Sequence, residues 1–132
     1  MKKKIILDCD PGHDDAVAIM LASAHDDIDI LGITCVAGNA TLENTKKNAL
    51  KVCSLIGKIN IPIYSGASKP LIYDLVTAEH VHGKSGLDTD GAPISISDGY
   101  EIEKLNAVDF IINTCHQQSE PIYLCPLGPL TN

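Results

Sequence analysis

The chain has 132 residues, a formal net charge of −7, and a composition that is 45% hydrophobic and 20% charged. A chain of this length predicts one soluble domain with a core of its own. The acidic balance argues against a nucleic-acid partner, because binding a phosphate backbone needs basic surface. The sequence also argues against a membrane partner, since no stretch reaches the roughly 18 apolar residues of a membrane-spanning helix.

Cysteine usage predicts a cytoplasmic location. The number of cysteines is odd, no CxxC pair occurs, and most of them lie in apolar stretches. This pattern is typical of reduced cysteines in a core. Cys9 lies within a predicted strand and is interpreted as a small hydrophobe and not as a catalytic thiol. The apolar run after the basic N-terminus is interrupted at Asp8, which is too early for a signal peptide.

The apolar patterns predict alternating strands and helices. In chain order these are a strand over 4–7, a helix over 13–24, a strand over 28–36, a helix over 42–56, a strand over 61–64, a helix over 104–117 and a strand over 121–126. Residues 66–98 carry little regular pattern, and a loop of this length in a compact domain is usually functional or disordered. Residues 127–132 resemble the opening of another helix. This order predicts an α/β fold with a mainly parallel, Rossmann-like sheet flanked by helices.

Four aspartates crowd the first strand-to-helix corner. Asp8 and Asp10 fall on one face of the strand, and Asp14 and Asp15 fall in the first helical turn after Pro11-Gly12. Solvated, helix-capping aspartates are the alternative interpretation, but apolar sequence on both sides makes a buried strand end a poor place for solvated charge. So many carboxylates together favour a bound cation, and an all-oxygen set suits Ca²⁺ or Mg²⁺ better than zinc.

Polar features follow four of the predicted strands. Asp10 follows the first, Asn39 the second, the loop containing His82 the third and Leu127-Gly128 the fourth. Ligands of parallel sheets bind beyond the carboxyl ends of the strands, so the topology predicts that these features meet at one edge.

Simpler interpretations stay open at this point. Asn39 is also compatible with a plain turn, and His82 with a surface loop. Zinc at His80 and His82 is disfavoured, because no cysteine or third histidine is suitably spaced. The Asp8-x-Asp10 pair would also suit a Mg²⁺-dependent phosphatase, although that function leaves the remaining aspartates and Asn39 without a role.

The motifs, taken in order, resemble those of the inosine-uridine preferring nucleoside hydrolases. The matching stretches are 8–16 (DCDPGHDDA), 36–39 (VAGN), 48–49 (NA), 82–87 (HGKSGL) and 128–132 (GPLTN). The resemblance covers residues 1–132 as one domain, but only the N-terminal part of the family's fold. It therefore implies a nucleoside hydrolase-type domain that is truncated at its C-terminus.

The resemblance implies a Ca²⁺ site. Asp10, both oxygens of Asp15 and the backbone carbonyl of Leu127 would bind the ion, with Asp8 supporting these ligands. Position 127 is often Thr in relatives, but Leu offers the same carbonyl. Asp10 is also the candidate base that takes a proton from the attacking water.

The resemblance also implies a substrate and its contacts. Asp14 would hold the hydroxyls of a ribose, Asn39 would contact the sugar as charge develops, and His82 would line the pocket. The implied reaction is hydrolysis of the N-glycosidic bond of a small ribonucleoside, through an oxocarbenium-like sugar. A second hypothesis is an inactive fragment that keeps part of the metal site. Because a truncated fold leaves apolar surface uncovered, we also expect self-association into a homo-oligomer.

Overall fold

The structure, a computed structural model, describes residues 2–132. It contains four strands and four helices. The strands are β1 (Lys3–Cys9), β2 (Ile28–Cys35), β3 (Ile63–Ser65) and β4 (Ile122–Pro126), and the helices are α1 (His13–Ala24), α2 (Leu42–Leu55), α3 (Glu79–His82) and α4 (Ala107–Gln117).

The strands form one parallel sheet in the order β3-β2-β1-β4. β1 lies in the centre, with Cys9 opposite Cys35 of β2 and Asp8 opposite Pro126 of β4. The chain moves from β1 to β3 in one direction and returns to β4 on the far side of β1. Right-handed crossovers then place α1 and α2 on one face and α4 on the other. The predicted α/β fold with a parallel sheet is confirmed.

The main core lies between the sheet and the α1–α2 layer. Alternate strand residues point into it, and its buried members include the aliphatic side chains and thiols of Ile5, Leu7, Cys9, Ile19, Ile33, Cys35, Val52, Cys53 and Ile63. The opposite face is thinner. There Phe110 of α4 stacks on Tyr64 with ring centroids 3.8 Å apart, over Gly32 of β2. This packing leaves the carboxyl ends of the strands free to build a site.

Some predicted boundaries were wrong. β3 begins at Ile63 and not at Ile61, because Pro62 has no N–H for the sheet ladder. α4 begins at Ala107, since the side chain of Asn106 caps the helix by accepting a hydrogen bond from the Val108 N–H over 2.8 Å.

The irregular regions also differ from expectation. The loop over 66–98 contains α3, a single turn in which the His82 N–H donates to the Ala78 carbonyl over 3.0 Å. The expected helix opening at 127–132 is a turn instead, with the Thr131 N–H donating to the Pro129 carbonyl over 2.9 Å.

The cysteines are free, and the expectation that they lie in the core holds for three of them. Cys9, Cys35 and Cys53 are buried, Cys125 is half-buried, and Cys115 is exposed on the outer side of α4. Burial raises the pKa of the Cys9 thiol well above its usual value, so it stays protonated and serves as a core residue. None of the helices within residues 2–132 has the length and hydropathy to cross a membrane.

Candidate active site

The site is built around Asp10, the first residue after β1. The backbone N–H of Asn39, from the loop after β2, donates to Asp10 Oδ2 over 2.6 Å. The Asn39 side-chain amide donates to the Asp10 carbonyl over 3.2 Å. Asn39 therefore fixes both the main chain and the carboxylate of Asp10. The turn that contains Asn39 holds Asp10 in place.

Two glycines enclose the Asp10 carboxylate. A Cβ on Gly38 would lie 2.2 Å from Asp10 Oδ2, and one on Gly128 would lie 2.7 Å from Asp10 Oδ1. Neither position has room for a side chain. The loops after β2 and β4 thus approach the carboxylate from two sides, which confirms the expectation that these strand ends meet at one edge.

Asp15 is the second carboxylate of the site. It lies in the first turn of α1, and its Oδ2 accepts a hydrogen bond from the Asp10 N–H over 3.1 Å. Both side chains are buried, with 5% of Asp10 and 4% of Asp15 exposed. Burial raises the pKa of Asp15 to about 7, and repulsion from Asp10 and Asp14 adds to the shift. Burial raises the pKa of Asp10 as well.

Among the described residues 2–132, neither carboxylate forms a salt bridge with a lysine. The two salt bridges in this part of the chain are Lys4–Glu120 and Lys46–Glu43. The described residues also hold no group of three or more His, Cys, Asp and Glu side chains able to bind a metal. A cation here would therefore use two carboxylates completed by backbone oxygens and water. That all-oxygen set fits a hard ion such as Ca²⁺ and does not suit zinc.

Leu127 comes to this edge through β4. Its N–H donates to the Asp8 carbonyl over 2.7 Å, and the Gly128 N–H reaches the same oxygen over 3.3 Å. Its side chain is 45% exposed. A role for this position therefore depends on its main chain, and the hydrophobic side chain is compatible with that role.

The Asp8 carboxylate is held by other polar side chains. Its Oδ1 accepts hydrogen bonds from Thr34 Oγ1 over 2.5 Å and from Asn132 Nδ2 over 2.8 Å. Asn132 also donates to the Cys35 carbonyl and accepts from the Ala67 N–H over 2.7 Å. The support that Asp8 gives is thus indirect, since it ties the ends of three strands together. Sequence reasoning did not assign this role to Asn132.

The side chains of His82 and Asn39 both lie against the Gly12 turn. A Cβ on Gly12 would be 2.8 Å from His82 Nδ1 and 3.1 Å from Asn39 Nδ2. The Ala78 N–H donates to the Asn39 carbonyl over 2.9 Å, which anchors α3 at the site. His82 is therefore part of this edge. Asp14 is exposed on the first turn of α1, where a ligand bound at the edge can reach it.

Two contacts at this corner were not predicted. His82 Nδ1 lies 3.3 Å from Nδ1 of His13, a residue that the sequence indicates only as the start of a helix. Asn48 is buried in α2 and donates to the carbonyls of Pro11 and Ser85 over 3.0 and 2.8 Å, joining the first corner to the α3 loop. The stretch Asn48-Ala49 is one of the motifs that carry the family resemblance. The sequence alone does not indicate which carbonyls Asn48 contacts, because the fold brings them together.

The fold and this edge define a class of protein: a parallel α/β domain with a buried pair of carboxylates at the carboxyl ends of its strands. Residues 5–132 match the model of the family described as inosine-uridine preferring nucleoside hydrolase. The chain belongs to this family.

Similar proteins include hydrolases of differing base preference. The pyrimidine-specific ribonucleoside hydrolase RihB of Escherichia coli K12 is 47% identical over 131 residues, which is 99% of this chain and 41% of that protein. A purine-preferring ribonucleoside hydrolase from Gardnerella vaginalis is 32% identical, with a TM-score of 0.88 over 98% of this chain and 41% of its own. A plant nucleoside hydrolase, PpNRh1, is 32% identical with a TM-score of 0.89, and the match covers 99% of this chain and 41% of that one. The chain thus spans about two fifths of the length of these relatives.

Proposed function

We propose that this chain carries the metal and ribose part of a Ca²⁺-dependent ribonucleoside hydrolase site. The observation that supports the proposal most is the convergence of Asp10, Asp15, Asn39 and the end of β4 at one edge of the sheet. Membership of the nucleoside hydrolase family supplies the reaction, which is hydrolysis of the N-glycosidic bond to base and ribose.

In this proposal Asp10, Asp15 and the Leu127 carbonyl hold Ca²⁺. The chemistry that the bound ion supplies is Lewis acidity toward water. Asp10 is the proton acceptor, because its carboxylate is fixed by the Asn39 N–H and faces the same edge as the sugar would.

The remaining residues of the proposal contact the sugar. Asp14 is exposed beside the buried pair and accepts hydrogen bonds from ribose hydroxyls. Asn39 and His82 both lie against Gly12, and in this proposal they orient the sugar. Carboxylates near the ribose also stabilise the positive charge that develops as the glycosidic bond breaks.

The test measures metal binding and turnover separately. Calorimetric titration with Ca²⁺ should give one binding event that Asp10→Asn abolishes, whereas Asp74→Asn, an exposed loop change, leaves it intact. Ribose release from uridine, cytidine and inosine should follow the same pattern. Absence of a Ca²⁺ signal in the unmodified chain would overturn the metal part of the proposal.

A second candidate is a fragment that binds metal without turnover. It is favoured by the coverage, since the matched relatives are more than twice as long as this chain. Ca²⁺ binding without ribose release would support it, and Asp10-dependent ribose release would exclude it. A phosphatase is disfavoured, because the Asp8 carboxylate is buried and bonded to Thr34 and Asn132 and is therefore unable to act as a nucleophile.

We also propose a cytoplasmic location and self-association. The free cysteines are compatible with a reducing compartment. β4 is an edge strand, and its Tyr123 and Leu124 are about half exposed, which leaves both backbone and apolar groups open to a second copy. Light scattering that gives the mass of a dimer or larger oligomer would support self-association, and a monomer would contradict it.

A further inference from the structure

His13 and His82 meet where α1 and α3 approach each other. Their Nδ1 atoms are 3.3 Å apart, and their rings are inclined by 22° with centroids separated by 5.6 Å. His13 is exposed and His82 is half-buried, so the pair is open to solvent on one side. The function proposed above gives His13 no role.

The second nitrogen of His13 determines what its first nitrogen can do. His13 Nε2 lies 2.8 Å from the Asp88 carbonyl oxygen, which can only accept a hydrogen bond. Nε2 therefore carries the proton, and in the neutral ring Nδ1 keeps its lone pair facing His82. Histidines that bind metals usually have this arrangement, with the far nitrogen donating to a backbone carbonyl or carboxylate.

The separation of the two nitrogens also suits a shared ion. Zn–N bonds of about 2.0–2.1 Å in a tetrahedral site place two nitrogens about 3.3–3.4 Å apart. The observed 3.3 Å lies at that value. The same separation is within hydrogen-bonding distance, so in the ion-free chain His82 Nδ1 can donate a hydrogen bond to His13 Nδ1.

We propose that His13 and His82 form a binding site for Zn²⁺, separate from the oxygen site of Asp10 and Asp15. Imidazole nitrogens are ligands that zinc prefers, whereas the carboxylate pair suits a harder ion. Two protein ligands leave the remaining positions to water, so the site is open and weaker than a structural zinc site. The sequence disfavoured zinc at His80 and His82 for lack of a further ligand, and the partner of His82 lies 69 positions away.

Zinc at this site has a consequence for the substrate. His82 cannot bind zinc and contact a sugar at once, so the ion would compete with a ribonucleoside. This consequence rests on the proposed function, whereas the zinc site itself depends only on the two imidazoles.

The test is a calorimetric Zn²⁺ titration of the full chain in the presence of millimolar Ca²⁺. A Cys115→Ser background removes the exposed thiol. We expect one Zn²⁺ per chain, with affinity falling at least tenfold in His13→Gln and in His82→Gln. His25→Gln is the matched control, because His25 is exposed and its Nδ1 accepts a hydrogen bond from the Asp27 N–H. Asp10→Asn should also leave zinc affinity unchanged, which separates this site from the proposed Ca²⁺ site.

Imidazole ¹⁵N spectra give a second measurement. They are recorded on the unmodified chain, so the result does not depend on whether a variant folds. The Nδ1 signals of His13 and His82 should shift together on addition of one equivalent of Zn²⁺. Equal zinc affinity in the His13, His82 and His25 variants, or shifts confined to other histidines, would overturn the proposal.

Discussion

The backbone N–H of Asp10 donates a hydrogen bond to Asp15 Oδ2 over 3.1 Å, so one buried carboxylate holds the main chain that carries the other. The bond draws two like charges into the same enclosed corner. Without a cation, this closeness opposes ionisation of both groups. The closeness of Asp10 and Asp15 therefore determines how the corner responds to metal, pH and substitution.

Gly38→Ala should disturb the corner without replacing an ionisable group. The added Cβ would lie 2.2 Å from Asp10 Oδ2, so the carboxylate must move. We expect Ca²⁺ affinity to fall at least tenfold and the free energy of unfolding to fall by about 1–3 kcal/mol. Gly91→Ala is the matched control, because a Cβ there meets nothing within 4 Å. Calorimetry and urea denaturation check both effects, and an unchanged Ca²⁺ affinity would contradict the expectation.

Asn39→Ala should have a smaller effect on metal binding. The substitution removes the amide bond to the Asp10 carbonyl but keeps the backbone N–H that donates to Asp10 Oδ2. Loss of a residue that orients a metal ligand typically costs about 10- to 100-fold in affinity, and we expect the lower end here. Calcium titration measures the change beside Asn60→Ala, which alters an exposed side chain. A loss as large as that in Asp10→Asn would show that the side-chain bond matters more than the backbone bond.

The metal-free chain should lose stability as the pH rises toward neutrality. The pKa of Asp15 is raised to about 7 in the folded chain from an ordinary value of 3.8. Between these values the unfolded chain releases the proton while the folded chain retains it, so unfolding becomes easier as pH increases. Urea midpoints measured from pH 4 to pH 8 with a chelator should fall and then level off above about pH 7.

Two variants test the assignment of this pH dependence. Asp15→Asn should flatten the decline, whereas Asp26→Asn, at an exposed position, should preserve it. Ca²⁺ should restore stability most at high pH, where the carboxylates are ionised. A midpoint that rises steadily from pH 4 to pH 7 without metal would refute the assignment.

Asn132→Ala should destabilise the sheet edge. The Asn132 side chain bonds Asp8, the Cys35 carbonyl and the Ala67 N–H, so its removal leaves a buried carboxylate and a backbone donor with fewer partners. We expect a loss of about 2–4 kcal/mol in the free energy of unfolding. Asn132→Asp should lose more at neutral pH, because it places a second negative charge beside Asp8. Urea denaturation would contradict this expectation if Asn132→Ala matched Asn60→Ala.

Sequence and structure agree where local pattern and topology act together. Asp10, Asn39 and Leu127 each follow a strand, and parallel pairing alone brings them to one edge. The contacts that were missed join residues whose partners lie far along the chain. His13 and His82 are 69 positions apart, and Asn132 and Asp8 are 124 apart. α3 was missed for a different reason, since a single turn has no periodicity to detect.

The pairing of Asp8 with Asn132 has a consequence for the order in which the protein matures on the ribosome. The acidic corner is translated first, while Gly128 and Asn132, which enclose it, are translated more than a hundred residues later. A nascent chain that stops before β4 would expose its aspartates to water on one side. If the corner binds Ca²⁺ as proposed, capture of the ion during synthesis requires β4 and follows its docking against β1.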